Sequence, residues 1–322
     1  PKSISPINTM VRRLSINKQV IKAGEKAIIN LNIARLISGT EIDLPIYVYR
    51  SKNPGPIVLL SGGLHGDEID GVEIVRRMIE KKTFDKLKCG SVIAIPVMNI
   101  YGFLNFSREL PDGKDINRNF PGSLTGSLAS RVAYNLTHKV LHEIDFGIDF
   151  HTGGANRYNY PQTRFDPSDE RAKEISNVFN APISLESKFI DKSFRKQGNK
   201  MGKSIIVYEA GESMRFDQHS IKHGILGAKK VLAHYGMIDF KSEKEASHSS
   251  SDSMWVRAKN SGMLQLQKIS GETVEKGDVL AIITDPFGNF TTKIKAPKVG
   301  IIIGHTNAPL VNQGDALFHI GN

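Results

Sequence analysis

One cysteine, Cys89, stands in 322 residues. No disulfide can therefore form within the chain, and a reducing, cytoplasmic setting is the natural reading. Cys89 precedes the apolar run Ser91-Val92-Ile93-Ala94-Ile95 with no base beside it in sequence, so it reads as a structural thiol. No run of ~20 apolar residues occurs, which gives no helix able to cross a membrane. The first fifteen residues, PKSISPINTMVRRLS, lack the apolar core of a secretory signal. Zinc-finger and RNA-recognition signatures are also missing. The densest basic clusters, KKTFDKLK at 81–88 and KSFRKQGNKMGK at 192–203, carry few aromatics between the charges. The net charge of +10 thus points away from nucleic acid and towards attraction of a small acidic molecule.

What is present is an ordinary globular composition, 39% apolar and 24% charged, long enough for one large domain and a small one. Residues 1–50 form a β-rich beginning, with short alternating stretches at KAIINLNIARL and DLPIYVYRS. From 55 onward strand-like runs (IVLLSGG, SVIAIPVMN, FGIDFHTGG, SIIVYEAGE) alternate with helical patterns (67–82, 128–144, 168–179, 220–236). The expectation is an α/β domain over 1–240, its sheet covered on both faces and its site beyond the carboxyl ends of the strands. The polar, Ser-rich 241–253 reads as a linker. Residues 254–322 carry short strands and glycine turns, with an echo between GETVEKGDVLAII and NAPLVNQGDALFHI. They are expected to form a small β-barrel or sandwich. The echo resembles biotinyl/lipoyl β-domains, but the carrier-lysine motif is absent, so no attached cofactor is expected.

The chemistry gathers at strand ends. In SGGLHGDE a buried run stops at a glycine turn, and His65 and Glu68 follow three positions apart. In DFHTGG a second strand ends the same way with His151. Neighbouring strand ends lie about 5 Å apart, so the three side chains can meet as the His₂Glu set of catalytic zinc sites. SIIVYEAGE offers a general base at a third strand end: Glu209, with Glu212 as the rival further into the turn. The loop 107–123, SRELPDGKDINRNFPGS, holds an Asn117-Arg118 pair suited to a carboxylate and a second arginine, Arg108, suited to an oxyanion. Arg157 and Arg164 follow His151, with Tyr158 and Tyr160 between. They either recognise a further acidic group or brace the turn. His138 and His142, spaced four apart on a helical pattern, have no third ligand nearby and read as surface or packing residues.

HGDE, DINRNFPG, DFHTGG and YEAGE, in that order over about residues 50–235, resemble the succinylglutamate desuccinylase/aspartoacylase family of the zinc carboxypeptidase-like group. The resemblance implies a mixed α/β sheet flanked by helices, with a smaller C-terminal all-β domain shaping access. It implies one Zn2+ per chain on His65, Glu68 and His151, and Glu209 as base. Arg108 would polarise the scissile carbonyl, Asn117 and Arg118 would hold a substrate carboxylate, and Asp115 would support the ligand or arginine shell. The ten positions from Arg108 to Arg118 exceed the aspartoacylase spacing.

The leading function is zinc-dependent hydrolysis of the amide of a small acidic N-acyl amino acid or short peptide. A carboxypeptidase trimming a C-terminal or γ-linked acidic residue uses the same catalytic set. A non-catalytic binding protein on this scaffold is a third reading, disfavoured by the complete ligand set and base. Neither a nucleic-acid nor a membrane partner is expected, and a homo-oligomer is compatible with the sequence.

Overall fold

The computed structural model describes residues 11–243 and 245–322. Most of the stretch read for a signal (1–10), and Lys244 within the linker stretch, lie outside them.

Four buried strands run parallel side by side: Ser91–Ile95, Ile57–Gly62, Phe146–Gly153 and Ser204–Glu212. Their near-continuous apolar character follows from burial on both faces. Alternate residues along each strand serve opposite faces. Leu59 and Ile93 pack with Val132, Leu136 and Phe194 on one side. Leu60, Ala94, Ile148 and Tyr208 pack with Ile74, Val75 and Val231 on the other. The helices on the second side are Ile69–Glu80, Glu170–Phe179 and Gln218–His234, each with one buried stripe. The hairpin Lys26–Arg35/Glu41–Arg50 extends the sheet antiparallel beyond Ser91–Ile95. The architecture is therefore a mixed α/β sheet flanked by helices, with further sheet at the C-terminal end.

The residues following His151, expected as a loop, form a strand, Arg157–Phe165, antiparallel to Ser204–Glu212. Its buried positions include Asn159, Gln162 and Thr163. Polar residues at inward positions hide the strand from a reading based on apolar alternation. The basic cluster at 192–203 contains a further unanticipated helix, Phe194–Lys200. The expected helix over 128–144 is α-helical at Leu128–Leu136 and continues as a π-type turn over Thr137–Leu141.

Within the stretch read as a linker, His248–Ser250 pairs in parallel with Ile183–Glu186. Beyond it, Gly300–Thr306 pairs with Arg157–Phe165, Ala316–Gly321 with Gly300–Thr306, and Ser253–Arg257 with Ala316–Gly321. The large sheet thus runs without a break into the C-terminal segment. A four-stranded sheet built on Gly262–Leu266, Val279–Thr284, Thr291–Lys295 and Leu310–Val311 closes over this end. Leu264, Leu280 and Ile283 from it meet Ile302, Phe318 and Ile320 of the large sheet in a separate apolar core. The two echoing segments each give a short strand, a turn and a longer strand. Among the described residues no helix is long and apolar enough to cross a membrane.

Candidate active site

Each proposed ligand sits at the carboxyl edge of a parallel strand. His65 lies in the turn after Ile57–Gly62, and Glu68 immediately precedes the helix Ile69–Glu80. Between them, Gly66 allows close approach to the neighbouring helix: a Cβ there would fall 1.9 Å from the Gly102 carbonyl carbon. His151 belongs to the adjoining strand Phe146–Gly153.

The three side chains converge. Their ligand atoms lie within 4.8 Å of one another, and all three residues are buried. His65 Nδ1 is 2.8 Å from Glu68 Oε1, and His151 Nδ1 is 2.7 Å from Glu68 Oε2. The far nitrogens face acids as well: His65 Nε2 lies 3.2 Å from Asp115 Oδ1 and His151 Nε2 lies 2.8 Å from Asp149 Oδ2. A neutral imidazole has one N–H and one lone pair, so it cannot donate to carboxylates on both sides. Moreover, Arg108 Nη1 donates to His65 Nδ1 at 3.2 Å, which requires a lone pair on the nitrogen that also faces Glu68. A cation among the two Nδ1 atoms and Glu68 takes the lone pair of each nitrogen and removes the first conflict, and leaves Arg108 to its carboxylate partners Glu68 and Asp115. The outer N–H groups then donate to Asp115 and Asp149, as acids behind metal-bound histidines do. The donor set therefore fits a zinc ion, with His65, Glu68 and His151 as its holders.

Electrostatics agree with a site built for positive charge. Burial alone pushes the imidazoles down, yet Glu68 and Asp115 hold His65 above its ordinary pKa, and Asp149 and Glu68 hold His151 well above it. Burial alone would push Glu68 up, but the two imidazoles hold it far below the usual carboxylate range. Asp115 is likewise held low against burial, by His65 and Arg108.

Arg108 reaches this centre directly. Its Nη2 donates to Asp115 Oδ2 at 2.9 Å and its Nη1 to Glu68 Oε1 at 3.3 Å. Asp115 thus bridges the ligand and arginine shells, touching His65 with one oxygen and Arg108 with the other.

A cleft of about 660 Å³ opens over the centre, lined by His65, Glu68 and His151 and by Arg108, Asn117, Arg118, Arg157, Arg164 and Glu209. The Asn117 side-chain oxygen accepts from the Phe194 backbone N–H at 2.8 Å, which fixes the amide, while Arg118 is exposed. Arg157 lies over the Trp255 ring, 5.7 Å from its centroid, and has no ion pair among the described residues. Arg164 Nη2 pairs with Glu209 Oε2 at 2.8 Å. Glu209 stands in register with His151 across the parallel pair. Its rival Glu212 is buried outside the cleft lining, where its Oε2 accepts from Asn307 Nδ2 at 2.7 Å.

Several site residues escaped the sequence reading. Asp149 was legible in principle, since D-x-H on a strand puts both side chains on one face; behind it, the Ser61 hydroxyl donates to Asp149 Oδ1 at 2.8 Å. Arg195 lies in the unrecognised helix. Its Nη2 donates to the Ser187 and Lys188 carbonyls, while its buried Nη1 has no partner among the described residues. Trp255 enters from the C-terminal strand Ser253–Arg257, a contact no local pattern reveals. Cys89 lies away from this lining: its Sγ faces the Tyr235 carbonyl at 3.5 Å, and burial pushes the thiol pKa up. His138 stacks on Tyr134, ring centroids 4.0 Å apart.

Comparison with known proteins finds a family, a relative and solved structures of the same fold. The description "Succinylglutamate desuccinylase/Aspartoacylase catalytic domain" matches residues 54–235, more than half of the chain. The N-alpha-acetyl-L-2,4-diaminobutyric acid deacetylase of Halomonas elongata is 27% identical over 289 residues, covering 85% of this chain and 84% of that protein. Two solved structures share the fold. The product-bound ectoine utilization protein EutE (DoeB) of Ruegeria pomeroyi superposes with a TM-score of 0.85 at 24% identity, covering 96% of this chain and 98% of that one. A succinylglutamate desuccinylase from Silicibacter sp. TM1040 gives 0.84 at 23% identity, with the same coverage. The chain belongs to the succinylglutamate desuccinylase/aspartoacylase family.

Proposed function

We propose that this protein is a zinc-dependent deacylase that hydrolyses the amide bond of a small N-acyl amino acid. The observation that carries the reading is the convergence of His65, Glu68 and His151 with Glu209 in register beside His151, all on one cleft. The names of the relatives, a deacetylase and desuccinylases, support amide cleavage of acylated amino acids over peptide trimming.

Zinc, when bound, supplies acidification of a water and polarisation of a carbonyl. The chain does the rest. Glu209 accepts the proton of the attacking water and returns one to the leaving nitrogen, the work of a single general acid–base. Arg108, already beside Glu68 and His65, offers N–H donors to the oxygen that gains charge. Asn117 and Arg118 hold the α-carboxylate, Arg118 as a planar fork and Asn117 with its amide oriented by the Phe194 backbone. The guanidinium of Arg157, without an ion pair among the described residues, remains as a donor for a further acidic group on the substrate.

The test is a hydrolysis screen of the zinc-loaded protein against N-acetyl, N-succinyl and γ-glutamyl amino acids, following release of the free amine. Turnover of N-acetyl or N-succinyl compounds supports the reading. Turnover confined to γ-glutamyl or peptide substrates would replace it with a peptidase.

A further inference from the structure

We infer that Asn159 and Arg164 are positioning residues for Glu209, and that the C-terminal strand Gly300–Thr306 holds Asn159 in place for that task. The inference rests on Glu209 being the base. Both residues donate to the same carboxylate oxygen: Asn159 Nδ2 lies 2.9 Å from Glu209 Oε2 and Arg164 Nη2 lies 2.8 Å from it. Two donors on Oε2 fix the carboxylate plane and leave Oε1 as the oxygen that can take a proton.

The backbone is arranged to permit this. In the antiparallel pair, Arg164 lies opposite Val207 and Gln162 opposite Glu209. Residues 164 and 162 therefore share the face of Glu209, and a regular strand would turn residue 159 to the other face. The register shifts between Glu209 and Gly211, where Gly211 pairs with Asn159. Two residues on one strand thus span three on the other. This single-residue bulge re-aims Asn159 onto the Glu209 face, a use of bulges found beside active sites.

The C-terminal strand closes the arrangement from behind. Gly304 pairs with Asn159 across the Gly300–Thr306 strand. A Cβ at residue 304 would fall 2.6 Å from the Asn159 side-chain oxygen. Only a residue without a side chain lets the amide lie there with its Nδ2 on Glu209, and the easiest relief for anything larger is to swing Asn159 away. Arg164 is steadied separately, its Nε donating to Gln162 Oε1 at 3.3 Å. The C-terminal segment thereby acts on the base through Asn159, besides lining the cleft through Trp255.

The experiment compares Asn159→Ala, Arg164→Ala, Arg164→Lys and Gly304→Ala in the zinc-loaded full chain, alone and combined with Glu209→Gln. The expected result is a kcat lower by about 10-fold or more in Asn159→Ala, Arg164→Ala and Gly304→Ala, with zinc content retained and KM changed much less. Arg164→Lys, which keeps one charged donor, recovers part of the loss. In the Glu209→Gln background the same changes add little, because the group they orient no longer serves as a base. Equal losses in both backgrounds, or wild-type kcat in the single variants, would overturn the inference and leave Glu209 as base. Full activity of Glu209→Gln alone would instead remove the base assignment itself. Gly304→Ala, the mildest change, keeps the test available should a larger substitution fail to fold.

Discussion

Glu209 pairs in register with His151 on the adjoining parallel strand, so the carboxylate and the imidazole leave one sheet edge side by side. Glu212, three residues on, is buried against Asn307 instead. Glu209→Gln should therefore keep the fold and zinc while kcat falls by ~10²-fold or more, the scale of an acid–base group. Glu212→Gln should cost far less. Steady-state kinetics with metal analysis checks this, and the opposite ranking would move the base to Glu212.

Arg118 and Arg108 should separate kinetically. On the proposed roles Arg118 holds a carboxylate present in ground and transition states alike, so Arg118→Ala should chiefly raise KM. Arg108 stands beside Glu68 and, on the same proposal, serves an oxygen that becomes charged only during reaction, so Arg108→Ala should chiefly lower kcat. A reversed pattern would exchange the two roles.

Asp149 should matter to the metal without touching it. Its Oδ2 accepts from His151 Nε2 at 2.8 Å and its Oδ1 is held by the Ser61 hydroxyl. Asp149→Asn should weaken zinc binding by ~10–100-fold, the usual cost of losing the acid behind a metal-bound histidine. Competition with a chromophoric chelator measures it. Unaltered affinity would mean that His151 is oriented by packing alone.

Trp255 is the only tryptophan in the chain. It lines the cleft, with Arg157 over its ring and His319 stacked 4.6 Å away at 7°. Its fluorescence should respond saturably when an N-acyl amino acid binds to the inactive Glu209→Gln protein, and Arg157→Ala should weaken that response. A signal indifferent to saturating ligand would place the bound molecule away from the C-terminal wall.

The sequence made the centre of the fold legible because physics there is local. Buried parallel strands read as mainly apolar runs, and Ile57–Gly62, Phe146–Gly153 and Ser204–Glu212 each open on such a stretch before the polar residues at their carboxyl ends. His65, Glu68, His151 and Glu209 sit at their ends, where glycine turns announce the edge. The strand Arg157–Phe165 was missed because its inward residues, Asn159, Gln162 and Thr163, are polar and look like loop. Asn159 lines the cleft and Gln162 shares its face, while Thr163 points to the opposite face, where its hydroxyl meets Ser176 of the helix Glu170–Phe179. Trp255 and Gly304 were illegible for a different reason. Their partners, Arg157 and Asn159, lie about a hundred residues or more away, and only the continuation of the large sheet into the C-terminal segment brings them together.

Metal dependence of amide hydrolysis is the most direct test of the whole account. Protein stripped by chelator and dialysed should release no amine from an N-acyl amino acid substrate. Titration with Zn2+ should restore the rate linearly to a plateau at one equivalent per chain, the stoichiometry of a single three-ligand site. His65→Ala and His151→Ala should show no such plateau. Full activity in the stripped protein, or restoration by zinc in either histidine variant to the wild-type plateau, would contradict a catalytic metal on His65, Glu68 and His151.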